Sequence, residues 1–144
     1  MSHFRRESDP LGLVSFGGLL IVAAIVIINF PNVLDDIVVW FRSWEVGGPK
    51  MITLNLIWPL IWFLAGNGIS YLVLSGVRAV TWIGHRKIVS DAFGGVYLIL
   101  ASFIFREYAA GLIPLTILLP SLIVALGAMI LMGSIVSYIV NRKL

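Results

Sequence analysis

Any chemistry in this chain has to come from a handful of polar side chains set into long apolar runs. On a helix that turns about 100° per residue, Asn67, Ser70, Tyr71 and Arg78 share one stripe with Leu74, while Asn55 points about 120° away from Asn67. Ser134, Ser137, Tyr138 and Asn141 form a similar stripe, followed by Arg142, at similar depth in the last apolar run. Both stripes contain Ser-Tyr with a basic residue a few positions later. Were the two to face each other, Asn67, Ser70, Tyr71, Ser134, Ser137 and Tyr138 would make one polar cluster in the cytoplasmic half of a helix bundle. Such a cluster can serve as a vestibule for an ion or substrate, closed by Tyr71 and Tyr138. It can also be interhelical hydrogen bonding that holds a bundle together, which is the commoner use of Ser, Asn and Tyr inside membranes.

The charged residues point to edges rather than to reaction centres. Arg78 and Asp91 are expected at one boundary of the apolar layer, and Arg106 and Glu107 at the other with Asp35 and Asp36. The middles of the apolar runs hold no Asp, Glu, Lys, Arg or His, which argues against a proton relay built from this chain alone. Arg78, His85, Arg86 and Lys87 are candidate contacts for lipid headgroups, since His85 sits in a basic loop better suited to phosphate than to a metal ion. Other motifs are weak. Gly66-Asn67-Gly68 lacks the third glycine and the strand of a dinucleotide fingerprint, and no Gly-x-Ser-x-Gly elbow is present. An enzyme is not expected, nor any cofactor or metal site.

The elements that must position these residues follow from composition. The 144 residues are 60% hydrophobic and 12% charged, and the mean hydropathy is +1.03, far too apolar for a water-soluble domain of this size. The net charge of +3 resides at the edges of the apolar runs, where lipid headgroups are better partners than nucleic acid. There is no cysteine, which excludes disulfides and thiol chemistry.

Uncharged runs extend over Pro10 to Leu34, Met51 to Val77, Ala92 to Phe105 and Tyr108 to Asn141. A helix needs roughly 20 residues to cross about 30 Å of hydrocarbon, and three of these runs exceed that. The third is short: Asp91 and Arg106 would stand about 22 Å apart on a helix and cannot both clear the hydrocarbon without snorkelling or thinning. It is still read as a span, because Ala92 to Phe105 shows no polar face. The expectation is an all-α integral membrane protein of one domain, residues 1–144, with spans near residues 11–30, 52–77, 88–108 and 112–140.

Lys and Arg distribute seven to three in that scheme. Arg5, Arg6, Arg78, Arg86, Lys87, Arg142 and Lys143 fall on one side and Arg42, Lys50 and Arg106 on the other. The positive-inside rule then puts both termini in the cytoplasm, with the plasma membrane as the expected location. The first apolar run is too long for a signal-peptide core and reads as a retained anchor, with Ser8 or Asp9 as its cap.

Between the first two spans, residues 33–45 read as an amphipathic helix on the outer leaflet. Asn32 is its expected N-cap and Asp35 and Asp36 lie in its first turn. Val33, Leu34, Ile37, Val38, Phe41 and Trp44 recur at helical spacing, and Trp40 and Trp44 are candidate interfacial anchors. Gly66-x-x-x-Ser70 and Gly133-x-x-x-Ser137 are small-xxx-small patterns expected to let the second and fourth spans pack closely. Pro59 and Pro120 are expected kinks. Ser8-Asp9-Pro10-Leu11-Gly12 and Ser90-Asp91-Ala92-Phe93-Gly94 hint faintly at duplication.

Two functions fit this architecture. The favoured one is a non-catalytic subunit or assembly component of a larger membrane complex, with the bilayer and other membrane subunits or copies of itself as partners. The other is a small oligomeric channel or transporter with a polar pathway between the second and fourth spans. A lipid-handling role at Arg78, Arg86 and Lys87 is a third possibility.

Overall fold

A computed structural model describes residues 10–47, 54–81 and 85–142. Among these, the chain is all helical: α1 (Pro10–Asn29), α2 (Val33–Gly47), α3 (Leu54–Thr81), α4 (His85–Ala109) and α5 (Leu115–Arg142). Each lies within about a helical turn of its expected bounds. Three of them, α3, α4 and α5, are individually long and apolar enough to cross a bilayer, and α1 with α2 makes a fourth such segment if that bent pair is counted as one. Ser8 and Asp9, the expected caps of α1, and Arg5, Arg6, Lys50 and Lys143 lie outside the described residues.

The turns follow from local chemistry. α1 ends at Asn29 and the chain bends by 93° into α2. Pro31 lacks the N–H that continuing α1 would need, and Asn32 takes the N-cap position, its carbonyl accepting from the Asp36 amide. Asp35 and Asp36 occupy the first turn of α2, where negative charge opposes the positive helix end. At the same end of the row of helices α4 closes in a Schellman motif. Gly111 adopts φ +75°, its amide reaches the Tyr108 carbonyl and the Leu112 amide reaches that of Glu107. A side chain at Gly111 would be strained at this φ. Pro114 then precedes α5 and its carbonyl accepts from Ile117 and Leu118, so its missing N–H breaks no helical bond.

The four long helices do not close into a bundle. α4 packs along α3 on one side and along α5 on the other, and α1 packs on α3. This makes an open row in the order α1, α3, α4, α5, and no interface of comparable size links α3 to α5 or α1 to α4. The compact four-helix bundle expected from sequence is therefore replaced by a layer. Its centre is α3, where Leu56, Ile57, Ile61 and Leu74 are buried. α2 rests against α3 through a small contact; Val33 is buried while Leu34, Val38, Val39 and Phe41 remain exposed.

Candidate functional site

The seam between α3 and α4 is the tightest part of the fold. Gly68 and Gly95 meet there with backbones nearly touching: a Cβ on Gly95 would stand 2.7 Å from the Gly68 carbonyl oxygen, and one on Gly68 would stand 2.8 Å from that of Gly95. Two glycines are what such a crossing requires, because any side chain drives the backbones apart. Two turns further along, the Ser75 hydroxyl donates to the Ile88 carbonyl across the seam at 3.0 Å. Beyond it the Arg78 guanidinium donates to the Asp91 carboxylate in a buried ion pair. Arg78 is only 5% exposed, so it belongs to the helix seam rather than to a headgroup site.

This pair resolves the difficulty of the short third run. Asp91 had to snorkel or lie at the edge of the hydrocarbon if α4 was to span. Instead, the α3 guanidinium neutralises it within the protein, so the apolar length of α4 extends past the acid. Partnering of this kind is how an ionic group is accommodated in an apolar setting.

The two polar stripes go to different places. Asn67, Ser70 and Tyr71 line a groove of about 270 Å³ between α1 and α3, together with Ser15 and Gly18. Ser134, Ser137 and Tyr138 line a groove of about 610 Å³ between α4 and α5. Because α4 stands between α3 and α5, the stripes do not meet as the sequence reading required. Three of these residues, Asn67, Ser70 and Ser134, hydrogen-bond within their own helices. The Asn67 amide donates to the Phe63 carbonyl at 2.9 Å, Ser70 to Gly66 at 3.0 Å and Ser134 to Ile130 at 2.8 Å, each one turn back on its own helix. Such back-bonding lets a polar side chain sit in an apolar environment without any partner helix.

The small-residue patterns are likewise divided. A Cβ on Gly66 would meet Val22 of α1 at 2.8 Å, whereas one on Gly133 would rest against Phe93 of α4 at 3.5 Å. Gly66 and Gly133 therefore serve α1–α3 and α4–α5 packing, not one shared interface. Pro59 lies within α3 and Pro120 within α5; Pro59 lines a further, nearly all-apolar cavity of about 400 Å³ beneath α2. Trp40 lines that cavity too, half-buried and edge-on to Phe41 with ring centroids 5.2 Å apart. Lys87 is exposed in the first turn of α4. The side chains of Trp44, His85 and Arg86 lie outside the described residues.

No protein-family profile, curated protein or solved structure matches the chain.

Sequence reasoning missed the α4 wall of the larger groove: Ser90, Phe93, Gly94 and Tyr97. Their signal was present. Positions 90, 94 and 97 follow the i, i+4, i+7 spacing of one helix face, and only the lack of charge made that face look featureless. The groove they build with α5 pairs aromatic walls with several hydroxyls. Gly94 and Gly133 widen it by leaving out two side chains.

Proposed function

We propose that this chain is an integral membrane protein with four transmembrane segments, both termini in the cytoplasm of a plasma membrane, and that it works as a non-catalytic subunit or assembly component of a larger membrane complex. In this reading α2 lies on the outer leaflet, in keeping with its 93° angle to α1 and its exposed apolar residues. The seven-to-three division of Lys and Arg supports the orientation.

The observation that carries the subunit role is the poor cover of α5. Only 6% of its apolar window is buried within the chain, against 28% for α3. It meets the protein along one face and exposes Gly127 and Ala128 elsewhere. A Cβ on Gly127 would meet nothing within 4 Å, and small residues of this kind let a neighbouring helix approach closely. The oligomeric channel or transporter with a polar pathway between the second and fourth spans has less support, since the two polar stripes occupy separate grooves.

Lipid can cover an apolar flank at no cost, so the experiment looks for protein there. The tagged chain is purified in native nanodiscs from its own membrane, and the mass of the intact particle is measured with the identity of everything in it. Foreign subunits at fixed stoichiometry are the expected result. A particle containing only this chain and lipid overturns the subunit role.

A further inference from the structure

The groove between α4 and α5 has a polar end and an apolar end. Ser90 and Ser137 lie toward the start of α4 and the finish of α5, together with Tyr138. Tyr97, Leu126 and Met129 lie toward the middle of those helices. The two helices run antiparallel through the tight Gly111 turn, so the polar end is also where the sequence is basic. His85, Arg86 and Lys87 open α4 and Arg142 closes α5.

Length narrows the occupant. The groove follows α4 from Val89 to Tyr97 and α5 from Leu126 to Tyr138, about 12 and 18 Å at 1.5 Å per residue. A partner helix crossing the bilayer would need a surface of about 30 Å. Half of that is the reach of a lipid tail in one leaflet. The volume of about 610 Å³ falls within the roughly 300–1,000 Å³ typical of small-molecule sites.

We propose that this groove binds one anionic phospholipid of the cytoplasmic leaflet. One of its acyl chains lies along Phe93, Gly94 and Tyr97, and its phosphate sits at the Ser90–Tyr138 end, the end at which the sequence of both helices is basic. The inference rests on the membrane reading above, but not on the subunit role. The chemistry is that of an amphiphile matched end to end: aromatic and small residues for the tail, hydroxyl donors and positive charge for the headgroup.

Gly94 offers a direct test. A Cβ there meets nothing within 4 Å, so Gly94→Leu puts a side chain into the groove without disturbing the α3–α4 seam. The full chain is purified in a mild non-ionic detergent, and phosphatidylglycerol or phosphatidylcholine is titrated in while native mass spectrometry counts bound lipids. The wild type is expected to hold one phosphatidylglycerol about tenfold or more tighter than phosphatidylcholine. Gly94→Leu is expected to lose that single tight lipid while keeping its helical circular dichroism and monodisperse elution. Arg86→Gln with Lys87→Gln, at the helix start, is expected to erase the preference for the anionic lipid by a similar factor. A photo-crosslinking phenylalanine analogue in place of Tyr97, activated in the native membrane, is expected to label phospholipid.

Equal retention of both lipids by the wild type overturns the proposal. So does unchanged tight binding by Gly94→Leu, or crosslinking of position 97 to protein in place of lipid. A chain released from membranes by alkaline carbonate would instead defeat the membrane reading itself, so the two failures are distinguishable.

Discussion

Gly94 and Gly95 are neighbours in one helix, and the same substitution should act on them in opposite senses. A methyl group on Gly95 would stand 2.7 Å from the Gly68 carbonyl oxygen and 3.0 Å from the Leu72 side chain, whereas ordinary contact begins at 3.4 Å. The shortfall of about 0.7 Å is against backbone, which cannot rotate away, so α3 and α4 must separate locally. Separation lengthens the Ser75–Ile88 hydrogen bond and disturbs the Arg78–Asp91 pair on the same seam. Overpacking of this kind costs about 1–3 kcal/mol. Alanine is the better helix former by about 1 kcal/mol, but in a membrane the unfolded reference is already helical, so little of that gain is realised. Gly94→Ala meets open space and should change stability by roughly 0 to +1 kcal/mol.

The difference between the two variants removes the propensity term and isolates the crossing. It should be about 1–3 kcal/mol, a factor of about 5–150 in the unfolding equilibrium. Reversible unfolding in mixed micelles, followed by circular dichroism or by steric trapping, measures it. If Gly95→Ala equals or exceeds Gly94→Ala in stability, the Gly68–Gly95 crossing is not what holds α3 to α4.

Asp91→Leu alone should destabilise by about 3–5 kcal/mol because it strands a buried guanidinium, while Arg78→Met with Asp91→Leu should recover most of that; a double-mutant cycle on unfolding free energies checks both. Gly66→Ala should cost less than Gly95→Ala, since its obstacle is a Val22 methyl at 2.8 Å, and Val22→Ala should restore the stability measured in the same assay. Asn67→Leu should change stability by less than about 1 kcal/mol and leave assembly intact, because its amide bonds only its own helix; loss of a measured ion or solute flux in that variant would revive the pathway reading.

Element bounds were legible in the sequence because charge punctuates it. Asp and Lys or Arg appear where apolar runs stop, and Pro31-Asn32 and Gly111 with Pro114 carry the turn chemistry that ends one helix and starts another. Helix neighbours were not legible. An angular stripe such as Asn67, Ser70 and Tyr71 says which residues share a face, but it leaves open which helix that face meets. The structure gives that face to α1 and the Ser134–Tyr138 face to α4. The Gly68–Gly95 crossing was hidden for a related reason: small-xxx-small spacing within one helix drew attention to Gly66, whereas close approach depends on two glycines meeting across a seam. The expectation that Arg78 and Asp91, 13 residues apart, share one boundary of the apolar layer was readable from charge alone. Their burial against each other was not, since it depends on how α3 and α4 cross.

The central claim is that four segments of this chain cross a bilayer with both ends in the cytoplasm. The absence of cysteine makes it directly testable by single-cysteine labelling in sealed membranes with a membrane-impermeant maleimide. Ser43→Cys in α2 and Leu112→Cys in the α4–α5 turn should react from outside. Gly84→Cys between α3 and α4, and Leu144→Cys, should react only after the membrane is opened. Labelling of positions 84 and 112 from the same side would contradict the account, because α4 would then not span.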